Sequence, residues 1–399
     1  MKFIDGGVCA AQGFRAAGIH VGVKTHAAWK KDVALIVSDV ECAAAAVFTK
    51  NVVKAAPIHV DRRHLADGRA RAVIANSGNA NACAPNGEEN AERMCAAAAA
   101  AIGCAPEDVL VSSTGVIGQT LNVQVIENGI PELCRTLVHS AEGSDAAAHA
   151  IMTTDTVKKE AAVETSIGGK IVRIGGIAKG SGMIHPNMGT MLCFLTTDCD
   201  ISSEMIREAL LEVTRVSFNR ISVDGDTSTN DTCLVLANGL AGNPSITSQG
   251  ADYDAFLEAL RALCVEMARR IAADGEGAKH MITCTVEGAT DEAQAERIAK
   301  SVISSTLTKA AIFGADANWG RVLCAMGYSG EAFDPDKVDV SFISAAGSVA
   351  VCAQGRGLDF DEEAAKRILT EHDVTIAVAM GEGNGACTCW GCDITYDYI

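Results

Sequence analysis

The segment with the most reactive potential runs from Lys179 to Leu192 and reads KGSGMIHPNMGTML. Within it Thr190 follows Gly189, and a glycine leaves its own carbonyl carbon sterically open to attack by the next hydroxyl. An N-to-O acyl shift followed by hydrolysis would free the Thr190 amine, whose ordinary pKa of about 7.7–8.0 suits it to act as base for its own hydroxyl. A buried threonine at the start of a strand explains the same letters without chemistry. The nearby His185 is expected to be an ordinary core or solvated histidine.

Two further segments place a reactive or charged side chain beside glycine. Thr114 and Gly115 lie in SSTGVIG, where a hydroxyl and a backbone N–H could together stabilise an oxyanion. Taken alone, these letters are explained more simply by a turn between a strand and a loop. Glu276 lies between Gly275 and Gly277 and is expected to be exposed. That arrangement fits either the close approach of a ligand or a plain helix C-cap.

Two clusters have ligand-type residues, but neither has a complete set of metal ligands. The segment 217–232 carries three aspartates with Asn230 among them, yet it lacks the order and the terminal glutamate of an EF-hand. We therefore expect a network of short polar side chains that satisfies a turn. Cys387, Cys389 and Cys392 have ligand-like spacing without a fourth cysteine or histidine nearby, so they are expected to pack as small side chains. No metal site is predicted.

Composition and charge narrow the class of protein. A chain of 399 residues is long enough for roughly two or three domains. Its net charge of −17 repels phosphate backbones and anionic lipids, and no Lys/Arg-rich run offsets that charge, so no nucleic acid or membrane partner is expected. The amino terminus lacks the long apolar core of a secretory signal. Most of the 16 cysteines lie in apolar runs, which fits a reducing compartment, and we expect a cytoplasmic protein.

Short apolar runs alternate with helical stretches along the chain, and these elements must position the segments above. Glycine and polar pairs mark where most of them end. The pattern predicts strands at 33–40 (ending in a turn), 71–75 (leading into a turn at 76–79), 170–177, 337–343 and 374–380, and helices at 88–102, 253–271 and 290–303. Mixed strands and helices indicate an α/β or α+β class with layered packing.

Taken together in this order, the motifs resemble the ornithine acetyltransferase family, the glutamate N-acetyltransferases of arginine biosynthesis. The resemblance rests on SSTGVIG, KGSGMIHPNMGTML, SFNRISVDGDTSTND, GEGA and IFGADANWGR. It extends to GGVCAAQGFRAAGIHVGVK near the beginning, to NSGNANAC, and to WGCDITYDY near the end. The match therefore covers nearly the whole chain in the order of the family.

The resemblance implies a fold and a processing step. The fold would be a layered αββα-like sandwich resembling the N-terminal nucleophile hydrolases, with a smaller C-terminal α/β domain. The chain would cleave itself between Gly189 and Thr190, giving an α chain of residues 1–189 and a β chain of residues 190–399. Many relatives have alanine before the threonine, and glycine should still permit the acyl shift. The two chains would assemble as α2β2.

The resemblance also implies roles for individual residues. Thr190 would be the nucleophile, and Thr114 and Gly115 would form the oxyanion hole. Thr153 and Lys179 would contact the substrate. So would two further residues, namely Thr190 and Glu276.

The implied reaction moves the acetyl group of N-acetylornithine to glutamate through an acetyl-threonine, without a cofactor, and acetyl-CoA is a possible second donor. An N-terminal-threonine amidohydrolase or aminopeptidase is the alternative enzyme, and a non-catalytic amino-acid-binding protein is a third possibility. The family continues past TYDY into a short tail that reaches the substrate, whereas this sequence stops at Ile399. We therefore expect weaker substrate binding with the chemistry intact.

Overall fold

The computed structural model describes residues 1–25, 27, 29–185 and 191–398. These residues fall into two compact units. The first comprises the described parts of Met1–Gly180, Pro186–Asn219 and Thr227–Met267, and the second those of Ser181–His185, Arg220–Asp226 and Ala268–Ile399. Within the described ranges no helix combines the length and the apolar character that a bilayer span requires.

Strands and helices alternate through the chain. The strands are β1 (Lys2–Ile4), β2 (Phe14–Ile19), β3 (Val33–Phe48), β4 (Arg69–Asn79), β5 (Val109–Val116), β6 (Lys159–Ile167), β7 (Lys170–Lys179), β8 (Leu192–Thr197), β9 (Ile221–Ser222), β10 (Thr232–Ala237), β11 (Met281–Ala289), β12 (Asp339–Ser344), β13 (Gly347–Ala353), β14 (Arg356–Gly357), β15 (Asp373–Ala379) and β16 (Gly385–Cys392). The helices are α1 (Ala56–His64), α2 (Gly87–Ile102), α3 (Val123–Arg135), α4 (Ala141–Ile151), α5 (Ser203–Val216), α6 (Ala251–Ala273), α7 (Glu292–Ser304), α8 (Thr306–Phe313), α9 (Trp319–Gly327) and α10 (Glu362–Leu369).

The first unit is built on a mixed sheet in the order β1-β6-β7-β8-β10-β3-β4-β5, with β2 also paired to β3. Strand β3 alternates its apolar side chains between the two faces, and helices cover both. Leu35 and its neighbours pack under α1, α2 and α3, whereas Ile36 and its neighbours pack under α4. Because both faces are buried, the strand reads as a nearly continuous apolar run. Strands β4 and β5 run parallel and in register from Ala72 and Val109 to Gly78 and Gly115, which fixes where the SSTG segment ends.

The second unit has a seven-stranded sheet in the order β14-β13-β12-β15-β11-β16-β9. Its core joins β11, β12, β15 and β16 to helices α7, α9 and α10 through buried Val, Ile, Met and Cys side chains. The predicted mixed α/β class is confirmed by the two sheets and their helices.

The predicted helices are confirmed, together with several of their ends. Helix α2 closes at Gly103, which adopts φ +77°, and α6 ends before Asp274 as expected. Helix α7 begins after Asp291, whose carboxylate accepts the N–H of Gln294. These helix ends could be predicted because capping depends on residues adjacent in sequence.

Two predicted strand ends are wrong. Strand β3 does not turn after residue 40 but continues to Phe48, since a shift in its pairing with β4 between Val37 and Cys42 absorbs the polar stretch. Strand β4 runs through the turn predicted at 76–79, because that stretch pairs with β5 as far as Asn79. In both places polar residues that usually mark a turn are accommodated inside a strand.

Candidate active site

Strand β7 ends at Lys179, whose side chain links two of the predicted site residues. Lys179 is 7% exposed. Its Nζ donates to Thr153 Oγ1 at 2.7 Å and to Thr114 Oγ1 at 3.2 Å. The structure thus brings together Thr114, Thr153 and Lys179 from three separate parts of the chain.

Gly115 follows Thr114 at a position that only glycine fills without strain. Its φ is +132°, and a Cβ built there would lie 2.4 Å from the carbonyl carbon of Gly78 and 2.6 Å from the nitrogen of Asn79. Residue 115 is exposed, as are the residues that follow it to position 120. The end of β5 therefore presents an exposed glycine beside a nearly buried threonine hydroxyl, the donor pair that an oxyanion hole uses.

Asp155, which is not among the predicted site residues, lies beneath this cluster and is buried. One carboxylate oxygen accepts Lys159 Nζ at 2.6 Å and the N–H of Gly180 at 2.7 Å. The other accepts the N–H of Thr153 at 3.0 Å and lies 3.9 Å from Lys179 Nζ. Burial is the largest influence and raises the pKa of Asp155, but the charges of Lys179 and Lys159 outweigh it and lower the pKa to about 2.

This pKa gives a prediction for acid unfolding. The folded-state pKa of Asp155 is about 2, below the unfolded value of about 3.9. Its stabilising contribution is therefore complete above pH 4 and is lost as the pH falls toward 2. We expect Asp155→Asn to be less stable than the parent by roughly 2 kcal/mol near neutral pH. In urea unfolding at a series of pH values, that difference should narrow between about pH 4 and pH 2; a constant difference would contradict the ionised carboxylate.

Lys24 is a second side chain at this site that sequence reasoning missed. Its Nζ donates to the carbonyl oxygens of Lys31 at 2.7 Å and Met152 at 2.8 Å, and the latter residue precedes Thr153. Burial lowers the pKa of Lys24 to about 8. The letter K at the end of GGVCAAQGFRAAGIHVGVK gives no local signal for this contact, which spans 128 residues.

Short polar side chains hold the ends of β4 and β5, in agreement with the network predicted for the 217–232 segment. Asn230 Nδ2 donates to the carbonyl oxygens of Ala80 at 2.6 Å and Ser113 at 2.7 Å. Ser113 Oγ in turn donates to Asn76 Oδ1 at 2.7 Å. The aspartate-rich motif thus contributes an amide that supports the strand carrying Thr114.

The neighbouring threonines Thr153 and Thr154 provide a matched pair of variants. Thr153 Oγ1 accepts from Lys179, whereas Thr154 is exposed. For acetyl transfer, the activity that the sequence resemblance implies, we expect Thr153→Ala to reduce kcat/KM by about tenfold or more, since one charge-assisted hydrogen bond is worth about 1.5–3 kcal/mol. Thr154→Ala should leave the steady-state constants within about twofold of the parent. Equal effects of the two variants would contradict the assignment of Thr153 to the site.

Glu276 belongs to the second unit and lies in the turn after α6. It is partly exposed, less than the sequence pattern predicted. Its N–H donates to the carbonyl oxygen of Ser181 at 3.1 Å. A Cβ on Gly182 would lie 2.2 Å from Glu276 Oε2, so the carboxylate rests on the bare backbone of that glycine.

Asp224 and His185 shape the same region of the second unit. The Asp224 carboxylate accepts hydrogen bonds from the N–H groups of Met183 and Ile184 and from the Tyr398 hydroxyl. Both of its oxygens are therefore bonded to donors of the protein. His185 Nδ1 lies 3.0 Å from Ser222 Oγ, and burial is the main cause that lowers the pKa of His185 to about 4. Across the described residues, no group of three or more His, Cys, Asp or Glu side chains is arranged to hold a metal ion.

The three C-terminal cysteines do not converge. Cys387 and Cys389 share one face of β16, with their sulfur atoms 4.0 Å apart. Cys392 is an odd number of residues away and points to the opposite face, where its Sγ lies 2.4 Å from the position of a Cβ on Gly275. All three are buried, as the sequence predicted.

The predicted nucleophile Thr190 and the predicted cleavage site Gly189–Thr190 lie outside the described residues. Of the neighbouring chain, the described segments reach His185 on one side and Met191 on the other.

The two mixed sheets define an α/β protein. The contact of Lys179 with Thr114 and Thr153, beside Gly115, gives it a polar site suited to chemistry on a carbonyl group. The chain belongs to the ArgJ family, whose model matches residues 15–399. The family predicted from the sequence motifs is therefore confirmed.

Curated relatives match along the full length. The arginine biosynthesis bifunctional protein ArgJ of Symbiobacterium thermophilum is 51% identical, with 100% of this chain and 98% of that protein covered. The chloroplastic ArgJ of Oryza sativa subsp. japonica is 45% identical, with 100% and 87% covered.

Solved structures of relatives match about half of the chain. The ArgJ crystal structure from Bacillus halodurans is 43% identical, covers 51% of this chain and 93% of its own, and gives a TM-score of 0.48. The ornithine acetyltransferase of Mycobacterium tuberculosis, crystallised with ornithine, is 38% identical, covers 48% and 99%, and gives a TM-score of 0.43.

Proposed function

We propose that this chain moves the acetyl group of N-acetylornithine to glutamate through an acetyl ester on Thr190. Membership of the ArgJ family confirms the broader prediction, an acyltransferase of arginine biosynthesis. The observation that carries the detailed proposal is the Lys179 ammonium, which donates to the hydroxyls of both Thr114 and Thr153. Gly115 directly follows Thr114 in the chain.

In the proposed reaction Thr190 Oγ, deprotonated by its own amine, attacks the acetyl carbonyl carbon. The Thr114 hydroxyl and the Gly115 N–H stabilise the oxyanion, and each such donor is typically worth about 2.7–4 kcal/mol of barrier. The C–N bond then breaks, and ornithine leaves as its amine takes the proton. The glutamate amine attacks the ester carbonyl, and loss of the Thr190 oxygen gives N-acetylglutamate and the free threonine. One amide replaces another, so the net free energy is close to zero and neither a metal nor an organic cofactor is required.

The free amine of Thr190 would arise by self-cleavage. The Thr190 hydroxyl attacks the Gly189 carbonyl, the peptide becomes an ester, and water hydrolyses that ester to a Gly189 carboxylate and a free hydroxyl and amine. The products would be chains of residues 1–189 and 190–399, assembled as α2β2. The buried free thiols of the chain suit the reducing cytoplasm that we propose as its location.

Three side chains would bind and orient the substrate. Lys179 could pair with a substrate carboxylate and Glu276 with a substrate ammonium, while Thr153 would supply a hydroxyl. Acetyl-CoA remains a possible second donor in this proposal.

The test uses the full chain with N-acetylornithine and glutamate, with acetyl-CoA in a parallel reaction. Products are separated by mass spectrometry, and the expected result is one N-acetylglutamate per ornithine released. Acetate formation that is independent of glutamate would indicate an amidohydrolase instead, and ligand binding without turnover would indicate an amino-acid-binding protein. Formation of N-acetylglutamate from acetyl-CoA alone would add the second donor.

A further inference from the structure

Two segments that carry site residues meet at a single buried carboxylate. Asp155 accepts the backbone N–H of Thr153 at 3.0 Å and the N–H of Gly180, the residue after Lys179, at 2.7 Å. Its Oδ2 also lies 3.9 Å from Lys179 Nζ. One side chain therefore fixes the backbone on both sides of the Lys179–Thr153 contact and attracts the ammonium between them.

The Lys179 contacts decide where the two threonine protons point. An ammonium group has donors and no acceptor, so both hydroxyl oxygens must accept from it. Thr114 Oγ1 at 3.2 Å and Thr153 Oγ1 at 2.7 Å thus each use a lone pair toward Lys179. Since each hydroxyl has a single proton, that proton is directed away from Lys179. A positive charge on the accepting side also makes each hydroxyl a stronger donor.

We propose that Asp155 is a positioning residue for acetyl transfer, because it holds Lys179 where the ammonium turns the Thr114 and Thr153 hydroxyl protons toward the substrate. This inference rests on the proposed function. It gives Lys179 a task besides pairing with a carboxylate, namely to polarise the hydroxyl of the oxyanion hole.

Lys159 completes the arrangement. The side chains of Lys159 and Asp155 are both 0% exposed, and the Lys159 Nζ to Asp155 Oδ1 distance is 2.6 Å. A carboxylate between two lysines keeps its charge in a buried place, whereas a lone buried charge would be strongly unfavourable. Lys159 therefore lets Asp155 remain ionised and available to Lys179.

The experiment is a double-mutant cycle on the cleaved protein with Asp155→Asn, Lys179→Met and the double variant. Total acetyl release is followed as N-acetylglutamate plus acetate, and rates are normalised to the cleaved fraction seen by intact mass. Asp155→Asn is expected to lower kcat roughly 100-fold, in the range that loss of one oxyanion donor gives. Because Asp155 acts through Lys179, the double variant should lose less than about threefold beyond Lys179→Met alone. If the loss in the double variant instead equalled the product of the two single losses, the proposal would be overturned.

A second variant separates positioning from stability. Asp155→Asn with Lys159→Met removes both members of the buried Asp155–Lys159 pair and leaves Lys179 in place, so it should regain part of the stability that Asp155→Asn alone loses. The kcat of this variant should stay roughly 100-fold low. A variant with parental stability and parental kcat would show that Asp155 is merely structural.

The same measurements distinguish failure of this inference from failure of the proposed function. A parent that releases acetate without making N-acetylglutamate would end the transfer proposal, while the cycle would still be read from acetate. A parent that makes N-acetylglutamate, together with variants at parental kcat, would end only the Asp155 proposal. A parent that releases no acetyl group would overturn both.

Discussion

Thr190→Ala is expected to remain one uncut chain and to lose acetyl transfer altogether. The hydroxyl of residue 190 would serve twice, first to cleave the Gly189–Thr190 bond and then to carry the acetyl group. Alanine removes both reactions, and loss of a covalent nucleophile typically costs about 10⁴-fold or more in kcat. Intact mass and denaturing electrophoresis report the cleavage, and N-acetylglutamate formation reports the transfer.

Two companion variants make the Thr190 result specific. Thr190→Ser retains a hydroxyl, so we expect it to be cleaved and to keep measurable transfer. Thr154→Ala removes an exposed hydroxyl elsewhere in the chain and should be cleaved and active like the parent. Active parent protein that consists only of the full-length chain would contradict self-cleavage, and an active Thr190→Ala would contradict the acetyl-threonine.

The helices and the predicted site motifs could be read from the sequence because their signals are local. Asp291 marks the start of helix α7, and Gly103 marks the end of helix α2. Thr114 and Lys179 were assigned to the site through the resemblance of their motifs to the family, and only the fold shows that they touch.

The support beneath the site could not be predicted in the same way. Asp155 and Lys159 look like an ordinary pair four residues apart, and nothing local tells that both are buried. Their importance comes from Lys179 and Gly180, which lie about 25 residues further along the chain. Long-range contacts of this kind leave no periodicity or spacing in a single sequence.

The wrongly predicted turn at 76–79 has the same origin. Asn, Ser and Gly favour turns because their side chains can replace backbone partners. Here Asn76 instead donates to the Asn79 carbonyl oxygen and accepts from Ser113, while the backbone continues in β4. Polar residues that hold a neighbouring strand in place are thus easily mistaken for the end of the strand in which they lie.

Gly115→Ala is expected to impair both the folded state and catalysis. The residue has φ +132°, and its Cβ would lie 2.4 Å and 2.6 Å from backbone atoms of Gly78 and Asn79. A backbone neighbour cannot rotate away as a flexible side chain would, so β5 must move relative to β4. We expect a loss of roughly 1–3 kcal/mol of stability and, because the oxyanion donor moves with the strand, a fall in kcat of about 10²–10³-fold.

Gly118→Ala is the matched control for Gly115→Ala. Gly118 also has a positive φ, +82°, but a Cβ there would meet nothing within 4 Å. Its substitution should therefore cost only the backbone strain, about 1–2 kcal/mol, and leave kcat within about threefold of the parent, since the Gly115 donor does not move. Thermal unfolding and steady-state kinetics on both variants separate the two effects. A Gly115→Ala protein with the same kcat as Gly118→Ala would mean that the close approach of β5 to β4 does not set the oxyanion hole, and the chemistry proposed for Thr114 and Gly115 would then need other donors.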